Sequence, residues 1–377
     1  MERSAGHEPV SAGISTAWVA NNAGPAGLRN YAGRMRLTLF INPEHPSGDP
    51  LDLRLAEHVE QVSIARAAGY DGVAIGTHLS YGSAAWLPPF QTLAHLAPAA
   101  AGMSLSTCML VLPYHHPMQV AIDGAFLDVL CEGRFILGVS AGWAHDEFAL
   151  LGIDRRERVG RFTESLDLVA RLWSQDRVRF DGRYYRVEDA SLALRPVQRP
   201  RPPIWLGGSV TRSVERAAEV ADTSVGDTWV ASSHLTETVI VEQAKTFDAR
   251  LDALGKPRPT DFPLLRNIVV AEDRATAIRD AVPYLQASYK VFDRWGLFTE
   301  VVGDPAAAKG VPELLAGRVI IGSPRECAEE LVRLARATGF TRLVARVQWM
   351  GMEHRIVRRT IELLAHEVLP MVERELG

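Results

Sequence analysis

Residues 36–76 read RLTLFINPEHPSGDPLDLRLAEHVEQVSIARAAGYDGVAIG. Residues 36–42 form a short, nearly continuous apolar run, without the in–out alternation of a half-exposed strand. Leu55, Val59, Val62 and Ala65 then recur three to four residues apart, which places them on one helix face. Gly69 follows that helix, and residues 71–76 form a second apolar run. A strand, a helix and a strand, both strands apolar throughout, describe parallel strands buried on both faces.

The same order repeats down the chain. Residues 104–112 read as a third strand, 117–130 as a helix and 134–140 as a fourth strand. Phe162, Leu166, Val169 and Trp173 mark a helix face. A hairpin follows over 178–187, turning at Asp181-Gly182. Further strands are expected at 204–208, 223–225, 264–271 and 340–348, with helices at about 211–220 and 237–254 between them. Ser323-Pro324-Arg325-Glu326 is a capping box with proline at the first helical position. Val357, Ile361, Leu364 and Val368 mark a last helix. About eight such units predict an α/β protein of the (β/α)8 TIM-barrel type with insertions. An open doubly wound sheet is the alternative, but no G-x-G-x-x-G follows the first strand. Residues 1–34 are rich in Gly, Ala, Ser and Asn without helix or strand period, and read as a flexible extension. Residues 35–377 are then one domain.

Composition excludes several classes. The chain of 377 residues is 47% hydrophobic and 23% charged with a net charge of −4, which is neither a disordered chain nor a basic nucleic-acid binder. No apolar run approaches the about 20 residues that span a bilayer. Cys108, Cys131 and Cys327 are far apart, and read as reduced thiols in a cytoplasmic protein.

Chemistry in a barrel sits at the C-terminal ends of its strands. Gly138-Val139-Ser140-Ala141-Gly142 ends the fourth strand and matches the G-x-S-x-G nucleophile elbow of serine hydrolases. The polar and aromatic residues 143–147 follow it, where the elbow requires a helix, and no oxyanion segment lies upstream. His78 stands just past the second strand, where it reads equally as a functional histidine or as a structural one. His115-His116 and His145-Asp146-Glu147 carry ligand-type residues without metal-site spacing, so no metal is expected. Gly207-Gly208-Ser209 lies between a strand and a helix, where free backbone N–H groups and the helix dipole favour an anion, with Arg212 one turn in. Gly322-Ser323 is a second candidate of that kind.

These residues fall within a wider pattern. GRFILGVSAGWAHDEFALLGI (133–153), with LPYHHP (112–117) before it and PPIWLGG (202–208) after it, resembles the bacterial-luciferase-like monooxygenase family. GSPRECAEEL (322–331) and EVLPMV (367–372) resemble it too, in the same chain order. The resemblance implies a luciferase-like (β/α)8 barrel that binds reduced FMN, or alternatively a deazaflavin coenzyme, and oxidises a small organic substrate. It implies that His78 is the active-site histidine beside the flavin ring. Cys108-Met109 falls at the family's non-proline cis peptide, Phe40 at an aromatic of the pocket floor, and Ser140 at the position facing the oxygen-reacting carbon of the flavin. Gly207, Gly208, Ser209 and Arg212 match the stretch that holds the phosphate. Ala141 stands where luciferases carry a phosphate-holding arginine, which leaves Arg212 for that role. With no nicotinamide-binding motif in the chain, a separate flavin reductase is the expected partner, and the family implies a homodimer. Tyr284, Tyr289, Trp295 and Phe298, within 284–317, are candidates for a lid.

Overall fold

The computed structural model describes residues 34–80, 84–298 and 315–377. The expected N-terminal extension, up to residue 33, and residues 299–314 of the expected lid lie outside them.

The strands are β1 (Arg36–Ile41), β2 (Gly72–Ile75), β3 (Ser104–Thr107), β4 (Phe135–Ser140), β5 (Ile204–Gly207), β6 (Thr228–Val230), β7 (Pro263–Val270), β8 (Val319–Gly322) and β9 (Arg342–Arg346). All their pairings are parallel, in the order β6-β5-β4-β3-β2-β1-β9-β7. A parallel bridge between Ala231 and Leu264 joins β6 to β7 and closes the circuit, giving a (β/α)8 barrel. Strand β8 pairs with β7 in the register Asn267 to Val319 through Val270 to Gly322.

Alternation along the strands explains why they read as continuously apolar. Leu37, Leu39 and Ile41 face the helices and join the large outer core, while Phe40 points inward. Phe40, Ala74, Cys108, Ile136, Trp205, Val230 and Val344 fill the inside of the barrel. Below them Arg342 donates to Thr38 Oγ1 at 2.9 Å, pairs with Asp261 at 2.8 Å and lies 5.7 Å from the Trp205 ring. That inward arginine is fully answered.

The helices Pro117–Leu130 and Arg158–Ser174 pack together outside β4. A Cβ on Gly124 would lie 2.7 Å from the Trp173 ring, so glycine there lets the two axes approach, and Trp173 Nε1 donates to Ala121 O at 2.8 Å. Ser323 and Glu326 form the expected capping box, Ser323 N–H bonding Glu326 Oε2 at 2.9 Å.

Three expectations need correction. The run 104–112 is not one strand: β3 ends at Thr107, a cis peptide joins Cys108 to Met109, and Leu110–Val111 then pairs alongside β4. The sixth strand is Thr228–Val230, not 223–225. There the Asp227 carboxylate accepts the N–H of Asp222 and of Ile204 and binds Arg201, and Gly226 turns at φ +96°, so 222–227 is a closed turn. Strand β8 went unread, because four residues between a long helix and a cap leave no periodic pattern.

Candidate active site

At the C-terminal ends of the strands lies a cavity of about 540 Å³. Phe40 comes to it from the end of β1, His78 from beyond β2, Cys108 and Met109 from beyond β3, and Ser140 from the end of β4. Gly207, Gly208, Ser209 and Arg212 come from the turn after β5. The nine residues that the family resemblance marks as site residues therefore line one space.

His78 is held in place. Its Nδ1 lies 3.0 and 3.1 Å from the two carboxylate oxygens of Glu147, which is buried in the short helix His145–Leu150. Glu147 also accepts the Leu79 N–H at 2.6 Å and the Tyr114 hydroxyl at 3.0 Å. Burial pushes the Glu147 carboxyl up, but the bonds from His78, Leu79 and Tyr114 more than offset it and hold it below the usual carboxylate range. An ionised carboxylate only accepts, so it fixes the proton on Nδ1 and leaves Nε2 as the working nitrogen. Trp86 packs 4.7 Å, Trp295 5.4 Å and Trp143 5.9 Å from the imidazole, centre to centre.

The serine-hydrolase arrangement is absent among the described residues. No hydrogen bond joins Ser140 to a histidine, and the first helix after it starts at His145. His116 caps the helix Pro117–Leu130 through the Met118 N–H at 3.2 Å, and His145 is exposed beside Asp146. No group of three metal-type ligands occurs among the described residues.

The turn after β5 is built for close approach. A Cβ on Gly208 would lie 2.6 Å from Ser213 Oγ, and one on Gly207 would lie 2.9 Å from Met109 Cγ. The Gly208 carbonyl is tied to Trp229 Nε1 at 3.0 Å and the Ser209 carbonyl to Gln243 at 2.8 Å, which fixes the loop with its side chains toward the cavity. The cations differ from expectation. Arg212 is exposed and shared between Glu215 at 3.3 Å and Glu219 at 3.1 Å. Arg155, Arg158 and Arg216 line the same rim with no carboxylate in ion-pair reach among the described residues. Burial, and then the charge of a neighbouring guanidinium (Arg155 for Arg158, Arg212 for Arg216), hold Arg158 and Arg216 below the usual arginine range. Sequence reasoning missed all three, because only the fold brings the start of the helix Arg158–Ser174 beside the helix Thr211–Val220. The other anion candidate, Gly322-Ser323, is filled by Glu326 and is away from the cavity.

Of the expected lid residues, Trp295 packs on His78, while Tyr289 and Phe298 stack on each other in the core at 5.3 Å. Phe292, not foreseen, lines the cavity with Arg346 and His234. Arg346 is buried and His234 half-buried, and Arg346 Nη2 lies 3.9 Å from Glu44 Oε2.

Residues 35–342 match the family model for luciferase-like monooxygenases. The chain is 30% identical over 356 residues to 4-hydroxyprotoasukamycin monooxygenase of Streptomyces nodosus subsp. asukaensis, covering 89% of this chain and 92% of that one. It is 27% identical over 271 residues to an F420-dependent glucose-6-phosphate dehydrogenase of Nakamurella multipartita, covering 70% and 75%. Its fold superposes with a TM-score of 0.73, at 19% identity and over 90% and 98% of the two chains, on an FMN complex from Pseudomonas putida. That protein is a type II Baeyer–Villiger monooxygenase, the oxygenating constituent of 3,6-diketocamphane monooxygenase. The chain belongs to the luciferase-like monooxygenase family and is an oxidoreductase of that family's barrel.

Proposed function

We propose that this protein is the oxygenating member of a two-component system. It takes reduced FMN from a separate flavin reductase and uses O2 to oxidise a small organic substrate. The observation that carries this reading is one cavity holding both a carboxylate-oriented histidine and a glycine-rich, arginine-lined anion cradle. The cradle fits the group: glycines leave no room for a side chain, and three arginines on its rim lack carboxylate partners among the described residues.

The residues divide the work by position. Ser209, Ser213, Arg158 and Arg216 hold the phosphate, as charge-assisted donors at a helix N-terminus. Phe40, the Cys108-Met109 peptide and Ser140 seat the ring. Bound reduced flavin supplies the electron pair that, with O2, puts one oxygen atom into product and the other into water. Glu147 keeps the proton on His78 Nδ1, so that Nε2 takes up and returns a proton at the reacting centre. Trp86, Trp143 and Trp295 exclude water around it.

The unit would be residues 35–377, working in the cytoplasm as a homodimer. Support for the dimer is an exposed apolar stripe of Ile122, Phe126 and Val129 on the helix Pro117–Leu130. A second reading, hydride transfer with a deazaflavin coenzyme, is supported by the F420-dependent relative and by an arginine-rich rim suited to more than one anionic group. Stopped-flow mixing of O2 with reduced FMN bound to the protein separates the two. The main reading expects reoxidation kinetics distinct from free reduced FMN and altered in Ser140→Ala. Kinetics identical to free flavin refute it.

A further inference from the structure

Strand β9 carries two inward arginines four residues apart, and their surroundings differ. Arg342 is saturated by Asp261 and Thr38, like Arg201, whose guanidinium grips Asp227 at 2.8 and 2.7 Å. Arg346 is equally buried but has no such grip. Its Nε has no hydrogen-bond partner, and the Glu44 carboxylate at 3.9 Å is beyond hydrogen-bond length. Buried charges are normally paired and hydrogen-bonded, so an under-answered guanidinium facing a cavity marks a place for an acceptor. Beside it, half-buried His234 keeps a covered Nδ1 with no hydrogen-bond partner.

We propose that this floor is a substrate subsite for a carboxylate on a compact aromatic or apolar body, with Arg346 as its cation and His234 as a second polar contact. The inference rests on reading the cavity as a flavin and substrate site. The guanidinium is planar and suits a carboxylate in two parallel bonds. Phe40 and Phe292, each 5.9 Å from it, and Trp349 at 5.8 Å make the surroundings aromatic, which favours a flat body. Burial, followed by Arg346, His78 and Arg318, pushes His234 down to about 3, so it stays neutral and adds no charge of its own. Burial pushes the Glu44 carboxyl up, against the pull of Arg346 and then His78, which weakens its hold on the guanidinium. The phosphate cradle, built from the turn after β5 and the rim arginines, is a separate part of the same cavity and draws on neither residue.

The test is calorimetric titration of benzoate, cinnamate and 2-naphthoate, each against its neutral amide. Each titration is run with FMN, which fills the rim itself, and without FMN, where saturating inorganic phosphate masks the rim. At least one acid should bind about tenfold or more tightly than its amide, as expected for a charge-assisted pair. The preference should vanish in Arg346→Met, return in part in Arg346→Lys and weaken a few-fold in His234→Asn. Circular dichroism and unchanged FMN affinity show that each variant folds. No acid preferred over its amide in the native protein, or a preference intact in Arg346→Met, overturns the subsite. Should Arg346→Met fail to fold, the native ratio and its loss or survival in His234→Asn decide. FMN binding without acid preference removes only the subsite, whereas acid preference without any flavin binding removes only the flavin reading.

Discussion

At the scale of single residues, the account turns on His78 and the carboxylate behind it. His78→Ala should lower product formation by about 10²–10⁴-fold with flavin affinity within a few-fold, because general acid/base help has that size. Peroxide should rise in place of product, and added imidazole should restore part of the yield. Single-turnover assays reading product and peroxide together check this, and wild-type values for both would reduce His78 to a structural role. Glu147→Gln should lower kcat with little change in the KM for flavin, since it acts through His78. The histidine was legible because a barrel assigns chemistry to strand ends. Glu147 was not, because it sits 69 residues further on and only the fold brings it to Nδ1. Ser140 was legible as a motif but ambiguous in chemistry, and what separates its two readings is that no histidine among the described residues is bonded to it.

At the scale of elements, the strand–helix alternation was legible wherever a strand kept an apolar run and a helix kept its face. It failed at 104–112, where a cis peptide interrupts an apolar run without any compositional mark. It failed again at 223–225, where three residues resembled a strand although the carboxylate of Asp227 closes a turn around them. The inward arginines of β9 were hidden by the same logic, since a strand's sequence does not say which charges the barrel encloses. Two predictions belong here. On β4, a Cβ on Gly138 would collide with the Thr107 carbonyl oxygen, so Gly138→Ala should cost about 1–3 kcal/mol or more by chemical denaturation. At the turn after β5, Arg158→Ala and Arg216→Ala should each weaken FMN binding about 10- to 150-fold while sparing riboflavin. Arg212→Ala should do less, because Glu215 and Glu219 already share its charge. Equal losses for FMN and riboflavin would place the phosphate elsewhere.

At the scale of the whole molecule, two histidines held neutral, buried His58 and half-buried His234, should make stability fall in acid. Burial, then the charges of neighbouring groups (His45 for His58, Arg346 for His234), push both imidazoles down to about 3. Below the usual histidine range the unfolded chain takes up protons that the folded chain does not. The stability these groups contribute is therefore complete near neutrality and is lost as pH falls toward about 3, by about 1.4 kcal/mol per pH unit for each group. Urea midpoints between pH 7 and pH 5 should decline accordingly, and His58→Gln should flatten the slope, whereas a flat native profile would show that these imidazoles are not held neutral. If the stripe on the helix Pro117–Leu130 is a subunit contact, Phe126→Glu should turn a dimer into a monomer in sedimentation, with the barrel intact. The central claim, that the cavity at the strand ends holds a flavin, is tested most directly by titrating the purified chain with FMN, reduced FMN and coenzyme F420. Saturable binding of one molecule of a flavin or deazaflavin per chain, tightest for reduced FMN and weakened by Arg216→Ala, is the predicted result. Failure of all three to bind at concentrations well above those of relatives' cofactors in cells would contradict it.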